Sequence, residues 1–329
     1  MNTHPNNIAS KIKSKAFELG FDACGVAPSA EVDQEIKTRF NKWISKGMHG
    51  KMQYMENYLE KRMNPALLVP GAKSVICLAM NYHQKNFQPE NAYYKVSQYA
   101  AGKDYHSIIK RKLYLLLEFI NTIAPESNAR VFTDSAPVLE RYWAQKSGLG
   151  NTGKNACFII PRKGSYFFLS EIIIDLELDY DIPFEKDPCG KCTRCIDACP
   201  TSAIISPGVI DAKSCISYLT IELKDEIPDI FENITGNNIF GCDICQNVCP
   251  HNIKFAVESK EPGFKPLQSI SNWSKNDWEV MDKSTYRKNF IKTGSPLARA
   301  SFLKLKGNIE FVKDSYYNQN DNPNNSRKQ

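Results

Sequence analysis

The 329-residue chain has no apolar run long enough to cross a bilayer, and no secretory leader opens it. Those two absences predict a soluble, cytoplasmic protein with no membrane partner, whose eleven cysteines stay reduced instead of pairing as disulfides. With 42% hydrophobic residues and a net charge of +6, the length predicts two or three domains of ordinary core size. Acidic residues are missing altogether between Lys283 and Lys306, where seven basic ones stand: Lys283, Arg287, Lys288, Lys292, Arg299, Lys304 and Lys306. Solvated helix faces normally mix signs, so this stretch points to a polyanion, nucleic acid first.

Cysteine, by contrast, is concentrated. CGKCTRCIDACP (189–200) carries Cys189, Cys192, Cys195 and Cys199 at C-x2-C-x2-C-x3-C, followed by Pro200. That is the bacterial ferredoxin run, in which three thiolates close on one [4Fe–4S] cluster and the fourth reaches a second. GCDICQNVCP (241–250) supplies Cys242, Cys245 and Cys249, but Ile239 stands where the first cysteine of such a run belongs. Cys215 fills that vacancy. The ferredoxin crossover then groups Cys189, Cys192, Cys195 and Cys249 on one cluster, and Cys199, Cys215, Cys242 and Cys245 on the other. Zinc is the competing reading, yet zinc sites rarely use so dense a run. Cys24, Cys77 and Cys157 remain and read as buried structural thiols.

Along the chain, Ile8, Ile12, Ala16 and Leu19 recur at helical spacing, as do Val32, Ile36, Phe40 and Trp43. SVICLAM (74–80) is a strand buried on both faces, Asp104 to Ile123 a long helix, and ARVFTDS (129–135) an interior strand ending near Asp134. Pro137 opens a helix to about Ser147, and ACFII and YFFLSEIIID form two further strands. The pattern predicts an α+β protein. A layered α/β catalytic domain covers 1–182, an inserted ferredoxin domain 183–255, an all-α segment 256–315, and a disordered tail 316–329.

Gly148, Gly150 and Gly153 spell G-x-G-x-x-G, but the motif follows a helix and enters a strand, the reverse of a dinucleotide fold. Asp104-Tyr105-His106 begins the D-x-H-x-x-G signature of an axial cobalamin histidine, yet Ile109 replaces its glycine. Asp104 therefore reads as a helix N-cap. Asp134 has two readings: an N-cap for the Pro137 helix, or a general acid whose apolar pocket holds a proton near neutrality.

LVPGAKSVI (68–76), the segment from Tyr99 to His106, FTDSAPVLER (132–141), GLGNTGKN (148–155), CISYLTIE (215–222) and the two cysteine runs together resemble epoxyqueuosine reductases over nearly the whole chain. The resemblance implies cobalamin, as cob(II)alamin, with two [4Fe–4S] clusters. It implies Asp134 as proton donor to the epoxide oxygen, and Asn57, Ser97, Asp134, Lys154, Asn155, Phe158, Leu169, Ser170, Ser217, Leu223 and Lys224 as cofactor contacts. The C-terminal helices would be HEAT-like and would dock a tRNA anticodon stem-loop through Arg287, Lys288, Lys292, Arg299, Lys304 and Lys306. An external low-potential donor, such as a flavodoxin or ferredoxin, would supply electrons to a monomeric enzyme. Departures from the family pattern fall at Asn151, Thr152, Leu223, Asp225 and His251. Two other readings stay open: a corrinoid reductive dehalogenase of a small molecule, and a non-catalytic ferredoxin-type electron carrier.

Overall fold

The computed structural model describes residues 5–320, with side chains over 8–313. The chain lays down β1 (Ala23–Pro28), β2 (Ser74–Asn81), the short β3 (Lys95–Val96), β4 (Ala129–Phe132), the paired β5 (Asn151–Thr152) and β6 (Phe158–Ile159), and β7 (Phe167–Ile174). Among them run α1 (Pro5–Glu18), α2 (Gln34–Ser45), α3 (Leu59–Met63), α4 (Tyr105–Ile123) and α5 (Glu140–Lys146). Four strands make one antiparallel sheet in the order β1-β2-β7-β4.

Every residue of β2 is buried, because helices cover both sides. Strand side chains alternate faces. Ile76, Leu78 and Met80 therefore pack with Ile12 and Ala16 of α1 and with Ile109, Leu113, Leu116 and Ile120 of α4. Val75, Cys77 and Ala79 face Tyr142, Trp143 and Ala144 of α5.

Several expectations change. The antiparallel pairing and the strand order put β4 at the sheet edge, so Asp134 does not follow an interior strand. The helix expected from Pro137 starts at Glu140, since the chain turns through Ala136 to Leu139 first. ACFII supplies only the two-residue β6, which pairs with β5 apart from the main sheet.

The cysteine-rich part contributes α6 (Arg194–Asp197), the β8–β9 hairpin (Ile204–Ser206 and Val209–Ile210), β10 (Asn238–Phe240), α7 (Ile244–Asn247) and α8 (Pro250–Phe255). β10 pairs in parallel with β3, tying this part to the N-terminal half. The last helices are α9 (Gln268–Ser271), α10 (Lys275–Glu279), α11 (Lys283–Tyr286) and α12 (Phe302–Asn320). Their Trp278, Tyr286, Leu305 and Ile309, with Phe290 from the turn after α11, share one core with Tyr94, Val96, Ile239 and Phe240. α12 extends to Asn320, into the tail expected to be disordered from 316; the rest of that tail, 321–329, lies outside the described residues.

Candidate active site

Asp134 follows β4 with a left-handed backbone (φ 56°), a conformation that a non-glycine residue keeps only where its surroundings enforce it. Two contacts do so. The Thr133 hydroxyl donates to the Leu169 carbonyl at 3.1 Å, and the Asp134 N–H donates to the Glu140 carboxylate in the first turn of α5. The Asp134 side chain is thereby presented, half exposed, to the first turn of α4. Its Oδ2 accepts from the Tyr105 hydroxyl at 2.8 Å and lies 3.0 Å from His106 Nε2.

Asp104 is the N-cap of α4, as expected, its Oδ1 accepting the His106 N–H at 3.0 Å. The same oxygen lies 2.8 Å from His106 Nδ1. Arg299 arrives from the C-terminal region, with Nε 3.0 Å from Asp104 Oδ2 and Nη2 2.7 Å from His106 Nδ1. That nitrogen has two partners of opposite character. It accepts from Arg299 when the ring is neutral and donates to Asp104 in the imidazolium.

Electrostatics locate the proton. Burial pushes the Asp134 carboxyl upward, but hydrogen bonds from His106 and Tyr105, with the Arg299 charge, outweigh it and hold the group below its ordinary range. Burial depresses His106, yet its bonds to Asp104 and Asp134 raise it overall. Asp134 is thus shifted toward its ionised form and His106 toward its protonated form, although the Arg299 charge beside the ring opposes the latter. This corrects the expectation that Asp134 itself holds a proton near neutrality: partners outweigh the apolar setting. Behind them, burial and the Asp134 charge push Glu140 up to about 8. Glu171 is fully buried with both carboxylate oxygens unpartnered, and burial drives it well above the usual range.

Other side chains lie within electrostatic reach of Asp134. Tyr54, Tyr99 and Glu222 all feel the Asp134 charge, and Glu222 is raised first by burial. Tyr54 is exposed, as are Asn57, Tyr58 and Lys224. An exposed ring, Tyr54, within reach of the Asp134 charge is compatible with a flat, amphipathic ligand of the corrin type.

The remaining expected cofactor contacts are placed differently. Leu169 and Phe158 point into the core between sheet and α5. Ser170 lies on the opposite, α4-covered face by strand alternation, its hydroxyl unpartnered. Leu223 packs in a small core with Tyr218 and Leu219, and Ser217 is half-buried. The Ser97 hydroxyl donates to Asp243 at 2.5 Å. Lys154 and Asn155 turn to the cysteine loops, where Asn155 Nδ2 donates to the Cys245 carbonyl at 3.3 Å.

In those loops α6 packs on α7, and the thiols act on one another. Cys189 is raised by burial and then by its neighbours, Cys249 among them. Burial pushes Cys195 up to about 11, with the charges of Cys245 and Cys189 adding. Cys215 feels Cys245 and Cys199 after its own burial, and Cys242, pushed up to about 12, feels Cys245 and Cys215. Among the described residues no three metal-ligating side chains are gathered closely enough to hold a single metal ion, but thiols within electrostatic reach of one another are the soft donors that an iron–sulfur core takes. Cys77 is buried and Cys24 largely so, consistent with structural thiols. Cys157 differs: its thiol hydrogen-bonds that of Cys245, so it belongs to the cysteine loops and not to the apolar core.

The basic stretch also divides. Arg299 is committed to Asp104 and His106, Lys304 Nζ donates to the Asp225 carbonyl at 3.0 Å, and Lys306 pairs with Glu310 at 3.4 Å. Arg287, Lys288 and Lys292 are exposed. Sequence reasoning missed Tyr105, His106 and Glu140 as site residues. Their signal was present, since the two segments that carry them, Asp104-Tyr105-His106 and FTDSAPVLER, each drew attention for a different reason.

A family profile described as epoxyqueuosine reductase QueG matches residues 62–135, and one for a 4Fe-4S double cluster binding domain matches 188–252. An epoxyqueuosine reductase from Cellulophaga algicola is 46% identical across 95% of this chain and 100% of its own length. One from Cyclobacterium marinum is 47% identical across 92% and 96%. A solved epoxyqueuosine reductase carrying a tRNA-Tyr epoxyqueuosine-modified stem loop is similar at TM-score 0.84 and 29% identity, covering 93% of this chain and 81% of that one.

Proposed function

Because the chain belongs to the epoxyqueuosine reductase family, we propose that the cleft around Asp134 holds cobalamin against a tRNA-borne epoxyqueuosine, and that His106 and Asp134 together deliver its proton. The protein is an oxidoreductase, reducing epoxyqueuosine in tRNA to queuosine. When bound, cobalamin supplies the low-valent cobalt that does the reducing, fed with single electrons through two [4Fe–4S] clusters. Everything else falls to side chains.

The epoxide oxygen must leave as water, so two protons accompany the two electrons. Asp134, held toward the cleft by its left-handed turn, touches the departing oxygen. His106 Nε2 recharges it, and Asp104 keeps the imidazolium oriented. Arg299 returns to Nδ1 once the proton has gone. Tyr105 donates to the same carboxylate oxygen and helps fix it. The observation that carries this reading is the continuous chain Arg299–Asp104–His106–Asp134, ending on a half-exposed carboxylate.

For the cofactors, we assign one cluster to Cys189, Cys192, Cys195 and Cys249, and the other to Cys199, Cys215, Cys242 and Cys245. Asn57, Ser217 and Lys224 are the side chains we place against the corrin. Ser97, Phe158, Leu169, Ser170 and Leu223 would border it through the main chain. The helices after residue 256 are read as a HEAT-like platform for the anticodon stem-loop. A flavodoxin or ferredoxin would deliver electrons to a cytoplasmic monomer.

Reconstituted protein incubated with epoxyqueuosine-containing tRNA and a strong reductant should yield queuosine on nucleoside analysis. Asp134→Asn should abolish conversion while visible spectra show both cofactors bound. Full conversion by that variant would refute the assigned role.

A further inference from the structure

The glycine loop touches both cysteine runs, and it treats them differently. Gly150 approaches Ile159 so closely that an added Cβ would sit 2.1 Å from the Ile159 carbonyl oxygen. The strand pairing of β5 and β6 then turns residues 153–157 outward against the cysteine loops. Lys154 is tied there through both its backbone and its side chain. Its backbone N–H points at Cys189 Sγ, 3.4 Å away, and its ammonium donates to the carbonyls of Gly190 (2.7 Å) and Cys192 (3.0 Å). The Lys154 carbonyl in turn accepts the Gly208 N–H at 2.9 Å, which anchors the loop from the β8–β9 side. Three residues on, the Cys157 thiol hydrogen-bonds Cys245 in the other thiolate set and brings no fixed cation with it.

We propose that Lys154 is a positioning residue for electron transfer. It sets the reduction potential of the cluster held by Cys189, Cys192, Cys195 and Cys249, and leaves the other cluster untouched. Reduction adds negative charge to a cluster. A fixed ammonium and an N–H···S hydrogen bond both favour that reduced state, so both raise the potential. The second cluster receives no comparable cation from this loop. The resulting difference in potential would order the two clusters along the electron path. This inference rests on the thiolate grouping proposed above, and the two are separable by experiment.

Iron and sulfide analysis of the wild-type holoenzyme first tests that both clusters are present, with about eight iron atoms per chain expected for two [4Fe–4S] clusters. EPR-monitored redox titration of Lys154→Met and Lys154→Arg then tests the inference. Lys154→Met should lower the potential of one cluster only, and Lys154→Arg should restore most of it. Should Lys154→Met fail to retain one cluster, its retention by Lys154→Arg supports the same charge role. Two unchanged potentials at full iron content, or equal shifts in both clusters, would overturn it.

Discussion

His106 and Asp134 divide one proton, and the division is set by neighbours more than by either side chain. The ring sits between two carboxylates, while the carboxylate accepts two hydrogen bonds and feels Arg299. Raising the His106 pKa keeps the imidazolium to higher pH than a free ring would allow, and it is lost as pH rises through the raised value. Lowering Asp134 keeps its carboxylate charged below the usual carboxylate range. Turnover limited by this proton should therefore fall on the alkaline side. His106→Gln keeps a donor to Asp134 but cannot hold the proton. We expect roughly 100-fold slower single turnover and an alkaline limb moved to lower pH, since Asp134 must then serve as its own acid. A pH–rate profile with its alkaline limb unmoved would exclude His106 from the relay. The sequence exposed Asp134 through FTDSAPVLER, but it could not reveal the relay. Asp104 and Arg299 are 195 positions apart, and no local pattern joins them.

At the scale of elements, the short pieces matter more than the long ones. α4 was legible because one buried face imposes a helical period on nineteen residues, and β2 because burial on both faces makes its eight residues a continuous apolar run. β5 and β6 were not, since two-residue strands carry no period. Their placement depends on glycine sterics. Gly150→Ala drives a Cβ into backbone, which cannot rotate away. The loop must shift, at about 1–3 kcal/mol, and Lys154 shifts with it. Thermal unfolding of the apo-protein should show a lowered Tm. Unaltered melting would mean the β5–β6 hairpin relaxes freely and holds nothing in place. The vacancy at Ile239 shows the opposite case. There, counting thiols against two clusters points to Cys215 as the eighth ligand, because ligand number is fixed by the cluster and not by the fold.

On the scale of the whole molecule, the C-terminal helices are bound into the protein by a core that includes Tyr94, Val96 and Phe240. Arg299 and the exposed cations are therefore carried on one rigid support. The sequence showed seven basic residues as a single stripe, but side-chain partners split it. A cation already satisfied by Asp104 or Glu310 has less to offer a phosphate than one facing water. Arg287, Lys288 and Lys292 face water, so we assign tRNA docking to them and the proton relay to Arg299. The two roles differ in salt dependence. Removing one cation that neutralises a phosphate should make the slope of log K against log salt shallower by about 0.7–0.9. The triple variant Arg287→Ala, Lys288→Ala, Lys292→Ala should thus flatten that slope by about 2 to 3 and weaken tRNA binding most at low salt. Turnover at saturating tRNA should stay near wild type. Arg299→Gln should do the reverse, slowing turnover and leaving the slope intact. Binding isotherms across a salt series, paired with single-turnover rates, separate the two. Equal effects of both variants on the slope would return Arg299 to the docking surface.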